Sequence, residues 1–302
     1  MFLSAQMSVT GGSKDEILHK PVLLSEALKF LAPKNGGVYV DATFGAGGYT
    51  RAILSSVDCF VYAIDRDETV RRFFQVIEND FPKRTNFING NFVDIGSLLG
   101  EVKVDGIVFD LGVSTMQLKV ADRGFSFLHE GPLDMRMDRS TLLTAETVVN
   151  SYTEVKIASI IYQFGEERMS RKIAHAIVNA RRKKRITTTS SLAEIVRSCF
   201  PKRYYKIDPA TKTFQALRIF INDELGALEC GLRTALTMLK VGSRAVVVSF
   251  HSLEDRIVKH LFRSVHGNGF NLLTKKIVVP SRDEVRENPS SRSARMRVIE
   301  KV

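Results

Sequence analysis

Hydrophobic residues recur along this chain in two alternating rhythms. Short apolar runs come at Val38-Tyr39-Val40, Cys59-Phe60-Val61-Tyr62-Ala63-Ile64, Asn86-Phe87-Ile88, Gly106-Ile107-Val108-Phe109 and Arg244-Ala245-Val246-Val247-Val248-Ser249-Phe250. Near-continuous runs of this length predict strands buried on both faces. Between them the apolar residues take helical spacing. Leu24, Ala27, Leu28 and Leu31 form one stripe, entered at His19-Lys20-Pro21-Val22; Val70, Phe73, Phe74 and Ile77 form another within Asp67–Glu78. Strand and helix alternate, which predicts an α/β fold around a parallel sheet.

The rhythm changes near Val120. From Thr144 to Phe200 only helical stripes appear: Val155, Ala158, Ile161 and Tyr162; Ile173, Ala176, Ile177 and Ala180; Leu192, Ile195, Val196 and Cys199. The pattern Ser191-x-x-Glu194 reads as a capping box for the third, and Pro201 stops it. Asp208-Pro209 opens a long helical region through Phe214, Leu217, Ile221, Leu225, Leu228, Leu232 and Leu236, ended by Gly242. After the strand at 244–250, Ser252-x-x-Asp255 reads as the cap of a helix carrying Ile257, Val258, Leu261 and Phe262. Leu272–Val279 and Met296–Val302 read as closing strands. The expected division is a first α/β part at 1–119, a helical insert at 120–212 and a second α/β part at 213–302.

Four of the segments end alike, with Asp41, Asp65, Phe92 and Asp110 just past the C-terminal ends of strands. Open parallel sheets bind ligands at that edge. After Asp41 comes the turn Thr43-Phe44-Gly45-Ala46-Gly47-Gly48-Tyr49, whose glycines permit unusual backbone angles and close approach of a ligand. Asp65 stands twenty residues past Gly45, where an acid takes the two hydroxyls of a ribose. A dinucleotide fingerprint would need Gly or Ala at position 50, and Thr50 stands there. The turn is similar instead to the cofactor loop of class I S-adenosylmethionine (SAM) methyltransferases. Phe92 has two readings, a platform for a flat base or an anchor for its loop.

Charge narrows the partner. The 302 residues carry 44 Lys+Arg against 33 Asp+Glu, a formal net charge of +11. That balance favours a polyanion, commonly nucleic acid. The run Arg181-Arg182-Lys183-Lys184-Arg185 fits either a phosphate backbone or a solvated helix end favoured by the dipole. Cys59, Cys199 and Cys230 lie far apart. They predict a reducing compartment, with neither a disulfide framework nor a zinc site, and no metal is expected. No apolar stretch is long enough to span a bilayer, and Met1–Lys14 lacks the apolar core of a signal peptide. A cytoplasmic protein with no membrane partner is expected.

The motifs together resemble the MraW-type family of bacterial small-subunit rRNA methyltransferases. The resemblance runs from His19-Lys20-Pro21-Val22-Leu23-Leu24 to the C-terminus. It includes Asp41-Ala42-Thr43-Phe44-Gly45-Ala46-Gly47-Gly48, Ala63-Ile64-Asp65-Arg66-Asp67 and Asp110-Leu111-Gly112-Val113-Ser114. It continues with Arg123-Gly124-Phe125-Ser126-Phe127, Pro132-Leu133-Asp134-Met135-Arg136-Met137-Asp138 and Thr213-Phe214-Gln215-Ala216-Leu217-Arg218. It closes with Ser249-Phe250-His251-Ser252-Leu253-Glu254-Asp255-Arg256 and Asn288-Pro289-Ser290-Ser291-Arg292-Ser293-Ala294. The resemblance implies a Rossmann-like class I SAM-methyltransferase fold, doubly wound, with an inserted all-helical domain that helps hold RNA. It implies methylation of the exocyclic N4 of a cytosine in 16S rRNA, with SAM as cofactor and the small ribosomal subunit or its RNA as partner. It also implies cofactor contacts at Gly47, Gly48, Tyr49, Asp65, Phe92, Asp110 and Gln117. The family commonly has His where this chain has Tyr49.

Methyl transfer from a sulfonium is an in-line displacement, so the protein mainly supplies position. A cytosine amine is a poor nucleophile, which favours a hydrogen-bond acceptor beside it. The base must also be unstacked to enter a pocket. The D/N/S-P-P-Y motif of DNA amino-methyltransferases is absent here; Asp110-Leu111-Gly112-Val113 replaces it. Asp110, Asp134 and Asp138 are the candidate acceptors, and His251 is a candidate to orient the base. Asp134 and Asp138 have an alternative as partners of Arg136 or Arg139, and His251 as a helix cap. Arg123, Arg136, Arg292 and Arg295 are candidates for RNA phosphates. Two other functions fit the same sequence: methylation of a protein acceptor, and RNA binding without catalysis.

Overall fold

The computed structural model describes residues 21–113 and 120–302. The motif residues His19, Lys20 and Ser114 and the candidate Gln117 lie outside them. The sheet is built from β1 (Val38–Asp41), β2 (Phe60–Asp65), β3 (Thr85–Asn89), β4 (Val104–Asp110), β5 (Leu239–Ser249), β6 (Phe270–Leu272) and β7 (Arg295–Lys301). Its order is β3-β2-β1-β4-β5-β7-β6. The first five strands run parallel, and β7 lies antiparallel between β5 and β6. Strand order reverses between β1 and β4, which opens a crevice beyond their carboxyl ends.

Alternation within the strands explains the continuous apolar runs. In β5, Val246 and Val248 face one core while Ala245 and Val247 face the other; in β4, Val108 is set against Ile107 and Phe109 in the same way. On the first side pack α1 (Leu24–Leu31), α2 (Gly48–Ser56) and α3 (Arg71–Asp80), through Leu31, Ile53, Phe74 and Ile77. On the other side pack α4 (Ile95–Leu99), α10 (Glu224–Met238) and α11 (Ser252–Val265), through Ile95, Leu228, Leu232 and Phe262. Both faces are covered, so the buried stretches 107–109 and 245–248 are apolar throughout.

Between β4 and β5 the chain leaves the sheet. It forms α5 (Ala145–Ser151), α6 (Glu154–Gly165), α7 (Ser170–Lys183), α8 (Thr189–Ser198) and α9 (Thr211–Ile221). Their shared core joins Phe125, Val148, Ile161, Ile177 and Leu192 to Phe214, Ala216 and Leu217, so helical packing continues past position 212 through α9. The architecture is a Rossmann-like, doubly wound α/β fold with an inserted helical unit.

Several local expectations are corrected. The long helical region after Pro209 is two helices. Asn222 divides them: its side chain donates to the Met135 carbonyl at 2.8 Å and accepts from the Met137 amide at 2.7 Å. Asp223 then takes a left-handed backbone, φ 45°. The second helix ends at Met238, so Gly242 lies within β5. The expected strand Leu272–Val279 is only Phe270–Leu272, with one bridge from Val278 to Met296. The cap of α8 is Thr188, which accepts from the Ser191 amide at 3.2 Å, in place of Ser191-x-x-Glu194. Within the five-cation run, Arg181 donates to the Val149 carbonyl and Arg185 pairs with Glu146, while Arg182, Lys183 and Lys184 are exposed.

Candidate active site

The turn after β1 is assembled around a buried acid. Asp41 is fully buried and accepts from the Thr50 hydroxyl at 2.8 Å, the Thr50 amide at 3.1 Å and the Thr43 amide at 3.3 Å. Burial pushes its carboxyl up to about 6, against those hydrogen bonds. Asp41 therefore ties β1 to the start of α2 and does not line the cleft. The Thr43 hydroxyl accepts from the Asp110 amide at 2.6 Å, which joins the tips of β1 and β4.

The glycines of the turn do different work. Gly45, at φ +53°, has open space where a Cβ would go, with nothing nearer than the Thr43 carbonyl at 3.9 Å. A ligand can reach its backbone. A Cβ on Gly47, at φ +77°, would lie 2.3 Å from Ile77 Cδ1. A Cβ on Gly48 would lie 2.5 Å from Pro21. Those two glycines are required by packing. Tyr49 follows, buried, and its hydroxyl donates to the Val22 carbonyl. Its ring fills the wall under the cleft while the hydroxyl points away to α1's entry.

Asp65 ends β2 and accepts from the Gly45 amide at 2.8 Å and the Asp67 amide at 2.9 Å. Burial holds its carboxyl above the usual range despite these donors. Phe92 lies beyond β3 and meets Phe109 edge to face, with ring centroids 5.6 Å apart. Asp110 closes the opposite wall. Its Oδ1 is buried and has no hydrogen-bond partner among the described residues. Burial, then the charges of Asp41 and Glu254, push this carboxyl well above its ordinary range. The cleft these residues share is open to solvent and measures about 1040 Å³; Gly45, Asp65, Phe92, Asp110, Glu224 and Glu254 all line it.

Residues 16–302 match the sequence model of the MraW methylase family. The chain belongs to the MraW methylase family. It is similar to the ribosomal RNA small subunit methyltransferase H of Wolbachia sp. subsp. Drosophila simulans (strain wRi), with 54% identity over 290 residues, 94% of this chain and 99% of that one. It is 52% identical over 290 residues to the protein of the same name from Anaplasma marginale (strain St. Maries), across 95% of this chain and 100% of that one. A third, from Ehrlichia ruminantium (strain Welgevonden), is 52% identical over 299 residues, 94% of this chain and 99% of its own.

In this MraW-family chain the structure divides the residues singled out from sequence. Gly48, Tyr49, Asp65, Phe92 and Asp110 line the cleft; Gly47 does not. Asp134 stands apart, holding the Arg136 guanidinium at 2.6 and 2.8 Å, and that charge keeps its carboxyl low against the effect of burial. Asp138 accepts from the Ser140 amide at 2.8 Å and is likewise outside the cleft lining. Both are turn-building residues. Arg123 is corrected as a phosphate ligand: it is 7% exposed, pairs with Asp67 at 3.0 Å, and donates to the Arg136 and Met137 carbonyls. Arg136 is committed to Asp134 and to the Arg139 and Thr141 carbonyls. Arg292 is exposed, and Arg295 is half-buried beside Asp255 at 3.3 Å.

His251 is the cap of α11, and its box partner is Glu254; the Ser252-x-x-Asp255 reading is corrected. The Nδ1 atom accepts from the Glu254 amide at 3.4 Å, while Glu254 Oε2 accepts from the Phe250 and His251 amides at 2.8 and 3.2 Å. Burial works to raise the Glu254 carboxyl, but His251 and these amides hold it below the usual range. Glu224, His251 and Glu254 bring potential ligand atoms within 4.8 Å of one another. With Nδ1 accepting, a neutral His251 carries its proton on Nε2, and Glu224 is occupied bidentately by Arg218 at 2.9 Å. His251 and Glu254 are engaged in capping α11, and Glu224 in holding Arg218.

Sequence reasoning placed Gly45 in the cofactor-like turn without naming it as a contact, and missed Arg66, Glu224 and Glu254 as cleft residues. Glu254 had a visible signal, its place three residues after His251 at a helix start. Glu224 had none, because its position depends on the break at Asn222.

Proposed function

We propose that the protein transfers a methyl group from SAM to the N4 amine of a cytosine in the decoding region of small-subunit (16S) rRNA, in the cytoplasm. Family membership supports methyl transfer, and the named relatives support small-subunit rRNA as substrate. The observation that carries the reading is the cleft wall. An open Gly45 backbone, a carboxylate at the tip of β2, and at the tip of β4 a carboxylate whose buried Oδ1 has no partner among the described residues, face one space. This chemistry fits SAM. Asp65 suits the ribose hydroxyls, Phe92 flanks the adenine, and Gly45, with Gly48 and Tyr49 beneath it, leaves room for the methionine part. Gln117 completes the proposed cofactor set.

SAM supplies an electrophilic methyl on a cationic sulfur. The remaining work falls to this chain. Asp110 is the acceptor that holds the cytosine amine, since Asp134 and Asp138 are occupied elsewhere. The ionised carboxyl is the stronger acceptor, and a cation bound beside it would favour that form. His251 and Glu254 set the rim of the cleft. They act as positioning residues, through the N-terminus of α11. The helical unit, with Arg292 and Arg295 on the opposite flank, carries the RNA.

The test is nucleoside mass spectrometry on small subunits from a strain lacking this activity, incubated with the protein and SAM. A new N4-methylated cytidine is expected. Methyl incorporation that survives RNase and runs with protein would replace RNA by a protein acceptor; SAM binding without any transfer to RNA would sink the substrate assignment.

A further inference from the structure

A second concavity lies on the far side of α11, between that helix and the β6–β7 edge. It is shallow, and is lined by Lys259, Arg263, Lys275 and Arg297 together with Phe262, Leu272 and Thr274. Among the described residues, no carboxylate lines it. Among the described residues, Lys259, Arg263 and Lys275 have no acidic partner within 4.0 Å. Arg297 does have one: it donates to Asp255 at 2.6 and 3.1 Å. Arg295 shares that same carboxylate at 3.3 Å. Burial works to raise Asp255, and the two arginines hold it lower. Two arginines thus share one carboxylate, and three more cations line the concavity beside Arg297.

Such crowding is unfavourable in isolation. Unit charges of like sign about 4 Å apart repel by about 1 kcal/mol even in water. A bound polyanion turns that repulsion into attraction and releases counterions. Thr274 cannot supply the relief, because its hydroxyl already serves the Val298 amide at 2.9 Å.

The groove is also joined to the cleft. Arg295 pairs in register with Ser249, at the end of β5, so it stands at the ligand edge of the sheet. Asp255, Lys259 and Arg263 follow at spacings of four, on one face of α11. Glu254, at the head of that helix, lines the cleft. The cationic row therefore starts at the cleft rim and runs about 14 Å away from it at 1.5 Å per residue.

We propose that this groove is a phosphate subsite, holding the RNA backbone that leads away from the target nucleotide. The assignment rests on the proposed RNA substrate. Lys259, Arg263 and Lys275 contact phosphate oxygens; Arg297, fixed by Asp255, forms the back of the groove. Contacts of this kind set register and affinity and leave base choice to the cleft.

The experiment compares wild type with a triple variant, Lys259→Ala, Arg263→Ala and Lys275→Ala, for binding to a 16S rRNA fragment across a salt series. A control removes three exposed cations elsewhere, Lys29, Arg72 and Arg233. The triple variant should flatten the slope of log affinity against log salt by about 2 to 3, since each phosphate contributes about 0.7 to 0.9. KM for RNA should rise, with kcat and SAM affinity unchanged. Replacing Lys259 and Lys275 by Arg should restore the slope. An unchanged slope, or the same loss in the control, overturns the subsite alone. Loss of affinity for assembled subunits with unchanged RNA binding overturns it in favour of a ribosomal protein contact. A wild type that binds and methylates no RNA overturns both this site and the proposed substrate.

Discussion

The Asp65 carboxylate accepts the Gly45 amide at 2.8 Å, so the acid at the tip of β2 holds the turn that follows β1. One side chain thereby shapes the loop and presents its remaining lone pairs to the cleft. Asp65→Ala removes both roles. Hydrogen bonds to a charged group contribute about 1.5–3 kcal/mol, so SAM affinity should fall roughly 10- to 150-fold. Calorimetry reads this directly, and a change within threefold would remove Asp65 from the cofactor site.

Gly45 and Gly47 differ in what an added methyl meets. Gly47→Ala places a left-handed alanine against Ile77 Cδ1 at 2.3 Å. The variant should lose about 2–4 kcal/mol of stability from backbone strain and overpacking. Gly45→Ala costs about 1–2 kcal/mol in backbone strain alone and puts its methyl into ligand space. Urea midpoints should therefore single out Gly47→Ala, with a smaller shift for Gly45→Ala. SAM affinity per folded molecule should single out Gly45→Ala, and the reverse ranking would refute the division of labour.

Asp41 makes stability depend on pH with an unusual sign. Its folded carboxyl titrates at about 6 against an ordinary 3.8. The folded state therefore binds this proton more tightly than the unfolded state. The stabilisation is complete below the unfolded value and is lost as pH rises through the folded value. Wild type should gain up to about 3 kcal/mol relative to Asp41→Asn as pH falls from 7 to 4. Parallel stability curves for the two proteins over that range would contradict the assignment.

Arg123 and Arg292 look alike in sequence and should behave in opposite ways. Arg123→Ala leaves Asp67 buried beside a lost ion pair, which costs about 3–5 kcal/mol. Arg292→Ala changes an exposed side chain and should leave stability within about 0.5 kcal/mol. Thermal melts separate them; an undamaged Arg123→Ala protein with weakened RNA binding would restore Arg123 as a phosphate ligand.

What the amino-acid order determined by itself was the doubly wound sheet, the glycine turn, the acids at 65 and 110, and the helical interruption after β4. Those features depend on local periodicity and on residues a few positions apart, and burial on both faces stamps them on the strands. The tertiary structure decided which polar residues are spent on architecture. Asp41, Arg123, Asp134 and Arg136 carry the same chemistry as cleft residues, but their partners lie across turns or on other elements. It also brought Glu224 to the cleft, because Asn222 is pulled out of helix by a segment 85 residues away. Contacts between distant parts of the chain leave no period in the sequence, so a side chain's role there is settled only when the fold closes around it.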